Sequence, residues 1–260
     1  MAGARAVPRT IADREVLVSR VAVVSGAANG LGRVFSGALA ASGIDVAGVD
    51  VADLAMTEKK VASEGARFLP ITADVTDPDQ MQQAARYAAA ELGGIDICVC
   101  NAGVYPVIPF EDTTVEDWRR IMSVNLDGTF YLTRAALPYL KRSAAGRIVL
   151  IASAVVWLGP PGMVAYTASK SALIGYARAL ASELGPFGIT VNAITPSMIP
   201  TETAISTGVT RNLDRVVAGQ AIGRAQQPED LVSTLLYLCD PASTFVTGSA
   251  INVDGGFAKH

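Results

Sequence analysis

The chain has 260 residues, of which 50% are hydrophobic and only 17% are charged. This composition excludes a disordered chain and a coiled coil, and the length fits one domain or two. Lys and Arg total 21 against 24 Asp and Glu, so the net charge of −3 provides no basic field for non-specific binding of nucleic acid. The single histidine is His260, and zinc sites and Ser-His-Asp triads are therefore not expected.

Three further features of the sequence concern the location of the protein. Residues 1–19 are interpreted as a polar extension without a secretory signal, since charged residues interrupt its apolar positions. No apolar stretch reaches the roughly 18–20 residues that span a bilayer. Cys98, Cys100 and Cys239 are interpreted as buried small hydrophobic residues of a reducing compartment, with the first two expected on opposite faces of a strand. We therefore expect a cytoplasmic protein without a nucleic-acid or membrane partner.

Short apolar runs alternate with Ala-rich amphipathic stretches along the chain. The runs, which predict strands, lie at 20–25, 44–49, 67–71, 95–100, 147–151, 189–194 and 250–253. The amphipathic stretches, which predict helices, lie at about 30–42, 52–64, 78–92, 114–141, 164–185 and 228–240. Because continuous apolar strands are buried on both faces, this order predicts one α/β domain over 20–260, a Rossmann-like, doubly wound parallel sheet of about seven strands with helices on both faces. Ligands of such a sheet bind beyond the carboxyl ends of its strands.

Residues 196–220 differ from the rest of the chain, because they follow a predicted strand but mix Thr, Ser and Pro with scattered apolar residues. A long insertion at the ligand-binding edge of the sheet is typical of a mobile lid over the site. Elsewhere, turn and helix signals support the predicted boundaries. Asp77 and Pro78 fit the N-cap and first residue of one helix, and Pro228 fits the start of another.

A glycine-rich turn follows the first predicted strand and opens the first helix. It contains Gly26, Asn29, Gly30, Leu31 and Gly32. Glycines there permit a tight turn and close approach of the backbone to a pyrophosphate, and the helix N-terminus adds unpaired N–H groups. The spacing G-x-x-x-G-x-G differs from the usual G-x-G-x-x-G, so a plain strand-to-helix turn is the alternative interpretation.

Asp50 ends the second predicted strand, about 20 residues beyond the turn. A carboxylate at that place accepts the hydroxyls of an adenosine ribose and repels a 2′-phosphate. Asn29 is neutral and no basic residue directly follows Asp50, so the sequence favours NAD over NADP. The alternative is that Asp50 only caps a turn or a helix.

Tyr166 and Lys170 lie four residues apart on a predicted helix and so share a face. A phenol is a poor base at neutral pH because its pKa is near 10, and a nearby ammonium lowers that pKa. Ser153 follows a predicted strand at the ligand-binding edge, where its hydroxyl can donate to a carbonyl oxygen. The three residues indicate a proton donor and acceptor for an alcohol/ketone pair. Taken alone, the Tyr–Lys spacing is common and Ser153 can be an ordinary turn residue.

Together these motifs resemble the short-chain dehydrogenases/reductases. The resemblance runs from about residue 20 to residue 257 and is carried by the glycine turn at 26–32, Asn101-Ala102-Gly103, Asn125, Ser153, the Tyr166/Lys170 pair and Pro196-Ser197-Met198-Ile199-Pro200-Thr201. Ser25 stands where the family usually has Thr, and Ser197 where it has Gly. Neither change removes a reacting group.

The resemblance implies a role for each motif. Tyr166 is the general acid/base, Lys170 lowers its pKa and binds the nicotinamide ribose, and Ser153 polarises the substrate oxygen. Asn125 holds a water that links Lys170 to solvent, caps a helix distortion, or does both. The implied cofactor contacts are Asn101, Ala102 and Gly103 in the floor of the cleft, Asp74 and Val75 at the adenine, and the segment from Pro196, in which Ile199 and Thr201 hold the carboxamide.

The substrate pocket is predicted from the residues that follow Ser153 and Gly103, with one residue before the catalytic helix and one in the lid. Its expected lining is Val104, Tyr105, Ser153, Val155, Trp157, Met163 and Ile205. Most of these side chains are apolar and none is charged, which favours a hydrophobic secondary alcohol or ketone with an aryl or alicyclic group. The alternative is that several of them pack against the core and carry no information about the substrate.

We therefore expect an oxidoreductase that transfers a hydride between NAD(H) and such an alcohol or ketone, with no metal. One alternative is a 3-oxoacyl-carrier-protein reductase, which uses NADPH and an acidic carrier, although Asp50 and the scarcity of clustered Lys and Arg disfavour it. Another is a non-catalytic dinucleotide sensor on the same fold, which would not need a proton relay. The sequence Val253–His260 resembles the tail of tetrameric relatives. That resemblance implies a homotetramer with 114–141 and 164–185 at the main dimer contact.

Overall fold

The structure, a computed structural model, describes residues 19–259. Its strands are β1 (Val21–Ser25), β2 (Asp45–Asp50), β3 (Phe68–Thr72), β4 (Ile97–Cys100), β5 (Arg147–Ile151), β6 (Thr190–Pro196) and β7 (Ala250–Val253). They form one sheet in the order β3-β2-β1-β4-β5-β6-β7, and every neighbouring pair runs parallel. The prediction of a doubly wound α/β sheet is confirmed.

Helices connect the strands throughout the described residues. They are α1 (Gly30–Ala41), α2 (Ala55–Ser63), α3 (Pro78–Leu92), α4 (Val115–Met122), α5 (Gly128–Leu140), α6 (Val155–Leu158), α7 (Val164–Leu184), α8 (Glu202–Ser206), α9 (Leu213–Gly219) and α10 (Val232–Cys239). Asp77 caps α3 by accepting from two backbone N–H groups, and Pro78 is its first residue, as the sequence predicted. Pro228 opens a short 3₁₀ turn that leads into α10.

The core lies on both faces of the sheet, because each central strand is apolar on both sides. Val21 and Val23 of β1 face the layer made by α3, α5 and α7. Ala22 and Val24 face the opposite layer, which includes α1 and α10. Since β1 pairs with β2 on one side and β4 on the other, the connections after β1 and β4 leave in opposite directions. That divergence opens a crevice at the carboxyl edge of the sheet, where ligands of this architecture bind.

The helix predicted over 114–141 is divided in the structure. Thr114 caps α4, and a π-helical turn over Ser123–Asp127 separates α4 from α5. The wider turn contains the buried Asn125, whose side chain bonds outside its own helix. Such turns occur mostly as single insertions and frequently lie at functional sites. The helix distortion that was predicted as one role of Asn125 is therefore present, as this π-helical turn.

One expectation about β4 was wrong. Cys98 and Cys100 lie on the same face, with Sγ atoms 3.8 Å apart, because side chains two residues apart on a strand point the same way. Both are free thiols buried in the layer with α5 and α7. Cys239 is also buried, and burial raises its pKa to about 12. The interpretation of all three as small hydrophobic residues fits this placement.

Two sequence predictions concern the flanks of this sheet. Of the proposed extension 1–19, all but Ser19 lies outside the described residues. The proposed lid at 196–220 contains α8 and α9, and its mobility stays a prediction. Across residues 19–259, no helix has the length and apolar character needed to cross a bilayer.

Candidate active site

The glycine turn follows β1 and delivers the backbone to the first turn of α1. Gly26 and Gly30 have φ values of +64° and +47°, which side chains with a Cβ rarely adopt. A Cβ on Gly32 would lie 2.0 Å from the carbonyl oxygen of Gly26. The N-cap residue Asn29 makes no side-chain bond to the first N–H groups of α1. Those orphan donors at the positive end of a helix dipole fit a pyrophosphate, so the turn fits a dinucleotide.

Gly32→Ala is expected to raise the Kd of NADH at least about tenfold, or about 1.4 kcal/mol, because the new methyl group must displace the turn. Gly175→Ala in α7 is the matched control, since nothing lies within 4 Å of a Cβ placed there. Titration of NADH fluorescence measures both Kd values. An unchanged Kd in the Gly32 variant would contradict the assignment of this turn to the dinucleotide.

The ends of β1 and β4 are joined at the floor of the crevice. The Ser25 hydroxyl accepts from the backbone N–H groups of Asn101 and Ala102, at 3.1 and 3.2 Å. The Asn101 amide in turn donates to the carbonyls of Ser25 and Gly26, both at 3.0 Å. Ser25 therefore supplies the hydroxyl that Thr usually supplies in this family, and Asn101 holds the shape of the glycine turn.

Asp50 has the backbone contacts that its alternative interpretation as a turn residue predicts, and its contact with the ribose stays a prediction. Its Oδ2 accepts from the Ala28 N–H and its Oδ1 from the Ala52 N–H, each at 2.9 Å. It is therefore a turn residue. A carboxylate has about four acceptor positions, so two remain for ribose hydroxyls. Asp50 lies at the carboxyl end of β2, beside the glycine turn, as the sequence placed it.

The predicted adenine contacts differ from each other in exposure. Asp74 is exposed, and its Oδ1 accepts from the backbone and hydroxyl of Thr76. The Val75 side chain is buried, and Gly128 at the start of α5 approaches it so closely that a Cβ there would lie 2.8 Å from Val75. The adenine contact of this pair stays a prediction.

The catalytic set converges beside this crevice. Tyr166 and Lys170 lie on α7, with the Lys170 Nζ 5.9 Å from the centroid of the Tyr166 ring. A side-chain hydrogen bond joins Tyr166 to Ser153, which follows β5. The Lys170 Nζ donates to the Ile151 carbonyl at 2.7 Å. The structure thus brings together all three residues that the sequence proposed as the proton-transfer group.

Burial dominates the electrostatics of the Tyr166–Lys170 pair. It raises the pKa of Tyr166 to about 12, although the hydrogen bond with Ser153 acts in the opposite direction. It lowers the pKa of Lys170 to about 8, against an opposing electrostatic effect of Cys100. The groups that shift the Tyr166 pKa in this arrangement do not include Lys170, whose ammonium donates to the Ile151 carbonyl, so the lowering of the Tyr166 pKa by Lys170 stays a prediction. At neutral pH, Tyr166 is therefore a neutral phenol and Lys170 an ammonium.

Asn125 is fixed at three points, which sequence reasoning did not foresee. Its Oδ1 accepts from the Val104 N–H at 2.8 Å, and its Nδ2 donates to the Val104 carbonyl and to the Ser169 hydroxyl, both at 2.9 Å. Ser169 donates onward to the Tyr166 carbonyl at 2.8 Å. The Asn125 Oδ1 and the Lys170 Nζ each lie 3.3 Å from the point where a Cβ on Gly103 would stand. Gly103 therefore keeps a small space open between those two polar atoms.

The start of the proposed lid lies directly on the glycine turn. A Cβ on Gly30 would lie 3.1 Å from the Thr201 side chain. The Thr201 hydroxyl caps α8, and Ile199 is buried in the layer with α1. The Pro196 carbonyl accepts from the Ala154 N–H at 2.8 Å, which ties the end of β6 to the residue after Ser153.

The predicted pocket residues differ in how directly they face Tyr166. The Tyr105 ring meets the Tyr166 ring edge-on at 6.2 Å, and a side-chain hydrogen bond joins Tyr105 to Thr201. Met163, Tyr166 and Pro106 are among the residues that line a small cavity of about 10 Å³. Val104, Val155 and Trp157 are half-buried, whereas Ile205 is 59% exposed on α8. Trp157 packs against the buried core, as the alternative interpretation expects, whereas Tyr105 contacts Tyr166 and Thr201.

Comparison with known proteins places this geometry in a family. A family profile described as enoyl-(acyl carrier protein) reductase matches residues 26–258. A short-chain dehydrogenase/reductase from Armillaria gallica is 37% identical over 257 residues, covering 95% of this chain and 98% of that protein. This chain belongs to the short-chain dehydrogenase/reductase family. The resemblance inferred from the sequence motifs is therefore confirmed, and with it an oxidoreductase that binds a nicotinamide dinucleotide.

Other members of the family differ in the activities that their names give. A 3-oxoacyl-[acyl-carrier-protein] reductase from Synechocystis is 34% identical, covering 92% of this chain and 97% of that protein. A 3-alpha-(or 20-beta)-hydroxysteroid dehydrogenase from Mycobacterium bovis is 35% identical, with 92% and 90% covered.

Two solved structures are similar over nearly the whole described fold. A short-chain dehydrogenase from Mycobacterium paratuberculosis, bound to NAD, has a TM-score of 0.85 at 32% identity and covers 94% of this chain and 99% of that one. A metagenomic blue fluorescent protein in complex with NADPH has a TM-score of 0.85 at 33% identity, with the same coverage.

Proposed function

We propose that this short-chain dehydrogenase/reductase transfers a hydride between NAD(H) and a hydrophobic secondary alcohol or ketone, with Tyr166 as general acid/base. The observation that carries the proposal is the hydrogen bond of Tyr166 to Ser153, with the Lys170 Nζ 5.9 Å from the centroid of the Tyr166 ring. A bound nicotinamide supplies the hydride for reduction or accepts it for oxidation.

The protein's own residues control the proton and the orientation. Ser153 holds the substrate oxygen near Tyr166. The Tyr166 phenol, protonated at neutral pH because its pKa is raised by burial, donates its proton to that oxygen in ketone reduction. Lys170 carries the positive charge that stabilises the resulting phenolate. After the transfer, the Lys170 ammonium returns a proton to the Tyr166 phenolate, and a water in the space above Gly103, which Asn125 borders, would reprotonate Lys170 from solvent.

Asp50 supports NAD as the preferred cofactor. It retains two acceptor positions beside the glycine turn, and its charge opposes a 2′-phosphate. Relatives of similar structure hold NAD in one case and NADPH in another, so the choice is a property of individual members. The neutral Asn29 in the turn favours the same choice.

The pocket supports a hydrophobic substrate with an aryl or alicyclic group. Tyr105, Val155, Trp157 and Met163 are uncharged, and Tyr105 presents a ring edge to Tyr166. The hydroxysteroid dehydrogenase among the relatives acts on an alicyclic alcohol, as its name states. Ile205, exposed on α8, would contact substrate only if the segment 196–220 closed over it.

The carrier-protein reductase remains the second candidate, because a relative from Synechocystis has that activity in its name and the family profile has a similar description. Asp50 and the uncharged residues around the pocket disfavour it, since the carrier is acidic and the cofactor is NADPH. A non-catalytic sensor is disfavoured by the joined Ser153, Tyr166 and Lys170 set.

We also propose a homotetramer in the cytoplasm. Apolar side chains on α4, α5 and α7 are exposed in the single chain, among them Val115, Trp118, Phe130 and Val164. These helices are the ones that the family resemblance places at the main dimer contact. The three free, buried cysteines fit a reducing compartment.

Consumption of NADH and NADPH in the presence of a ketone panel tests the proposal. The panel contains aryl, alicyclic and short polar ketones, and a 3-oxoacyl group on either pantetheine or carrier protein. We expect kcat/KM at least about tenfold higher for the aryl or alicyclic ketones than for the polar ones, because about 1.4 kcal/mol of apolar burial suffices for that ratio. A flat response discards the pocket argument. Preference for NADPH with the carrier-linked substrate supports the second candidate.

A further inference from the structure

We infer that Arg33 is a second residue that determines the choice of dinucleotide, and that Glu202 opposes its action. In this inference, Arg33 is the cation that takes a 2′-phosphate once Asp50 no longer repels it. The inference rests on the proposed dinucleotide site and deepens it, because it assigns exclusion of NADP to two carboxylates instead of one.

Arg33 lies four residues after Asn29, on the same face of α1. Because side chains of a helix tilt toward its N-terminus, the guanidinium leans back over the glycine turn. Its Nε and Nη2 donate to the Ala28 carbonyl at 3.1 and 2.8 Å, and its Nη2 also donates to the Asn29 Oδ1 at 2.8 Å. The positive charge of Arg33 therefore lies beside the neutral Asn29. The sequence-based preference for NAD did not take this charge into account.

Asp50 binds the same residue, Ala28, through its backbone N–H. Its Oδ2 accepts from the Ala28 N–H at 2.9 Å, while Arg33 binds the Ala28 carbonyl. A carboxylate and a guanidinium therefore flank one residue of the turn. In dinucleotide sites of this architecture, a carboxylate accepts the ribose 2′-hydroxyl, whereas a nearby arginine accommodates a 2′-phosphate. This chain has both groups, and the carboxylate, that of Asp50, belongs to the last residue of β2.

Glu202, in the proposed lid, forms an ion pair with Arg33. Its Oε1 lies 3.1 Å from the Arg33 Nη1, and the Arg33 side chain is only 24% exposed against 66% for Glu202. Glu202 is the first residue of α8, directly after Thr201. A phosphate monoester carries close to two negative charges at neutral pH. To bind Arg33, the 2′-phosphate must therefore displace Glu202 and approach Asp50. Each of these carboxylates makes the free energy of NADPH binding less favourable.

The test compares the Kd of NADH and NADPH, measured by fluorescence titration without substrate. The background variant is Asp50→Asn, which removes the charge but keeps an acceptor for the Ala28 N–H. We expect it to lower the NADPH/NADH ratio of Kd values at least about tenfold. Adding Arg33→Met is expected to raise that ratio about tenfold, since one charge-assisted pair with the phosphate is lost. Adding Glu202→Gln instead is expected to lower it about threefold further, within the range of an exposed ion pair.

Lys60→Met in the Asp50→Asn background is the matched control, because Lys60 also pairs with a carboxylate, Glu64, but lies on α2. It is expected to leave the ratio unchanged. Arg33→Lys keeps the charge without the planar guanidinium and is expected to give an intermediate ratio. Equal weakening of NADH and NADPH by Arg33→Met would show that Arg33 only supports the turn, and would overturn the inference. A chain that binds neither dinucleotide even without substitutions would overturn the proposed function itself.

Discussion

Tyr166→Phe is expected to lower kcat by roughly 10²–10⁴-fold, the usual range for loss of a general acid. The phenylalanine ring fills the same space but has no proton to donate. The Kd of NADH is expected to stay within about threefold, because no substitution touches the glycine turn or Asp50. Steady-state turnover and NADH fluorescence measure the two quantities separately.

Tyr176→Phe is the matched control for this substitution. Tyr176 also lies on α7, its pKa is raised by burial to about 12, and its hydroxyl bonds to the Thr133 hydroxyl at 2.6 Å. Removing that hydroxyl is expected to cost about 1 kcal/mol of stability with little effect on kcat. Equal losses of kcat in the two variants would mean that the phenol of Tyr166 matters for structure and not for proton transfer.

Lys170→Met is expected to abolish most turnover without lowering the free energy of unfolding at pH 7. Burial lowers the pKa of Lys170 from 10.5 to about 8, which corresponds to about 3 kcal/mol of unfavourable energy for the charged amine. Loss of its bond to the Ile151 carbonyl offsets about 1–3 kcal/mol of that gain. Urea unfolding of both proteins, with kcat measured alongside, tests this separation of function from stability.

The difference in the free energy of unfolding between the unsubstituted protein and Lys170→Met depends on pH, and the lowered pKa of Lys170 fixes its direction. Between pH 8 and 10.5 the unfolded chain binds the Lys170 proton while the folded chain releases it, so stability of the unsubstituted protein rises with pH through this window. The stability advantage of Lys170→Met is therefore expected to shrink over that range. Lys59→Met, at an exposed position in α2, is the control for loss of a lysine. Ketone reduction by the unsubstituted protein should also fall above about pH 8, as Lys170 loses its charge.

Local patterns were sufficient to predict the fold and most of the site. The apolar runs predicted seven strands, because a parallel strand that is buried on both faces consists of consecutive apolar residues and not of alternating polar and apolar ones. The spacing of Tyr166 and Lys170 on one helix is likewise a local property, as is the placement of Asp50 at the end of a strand. Ser153 could be placed because the carboxyl ends of parallel strands share one edge.

The contacts that sequence reasoning missed join residues far apart in the chain. Ser169 was overlooked because a serine next to Lys170 has no signal of its own until α7 packs against the π-helical turn and Asn125 reaches it. The Arg33–Glu202 pair spans 169 positions, so no local spacing points to it. The raised pKa of Tyr166 could not be predicted for a similar reason. A spacing of four residues gives proximity to Lys170, but the direction of the ammonium and the depth of burial depend on the whole packed site.

Transfer of deuterium from the cofactor to the substrate is a direct test of hydride transfer with Tyr166 as the proton donor. The protein is incubated with NADH carrying deuterium at both C4 positions and with an aryl or alicyclic ketone, and the product is identified by mass spectrometry. We expect an alcohol with one deuterium on the carbinol carbon, formed by the unsubstituted protein and by Tyr176→Phe but strongly reduced in Tyr166→Phe. An alcohol without deuterium, or equal labelled product from Tyr166→Phe, would contradict it.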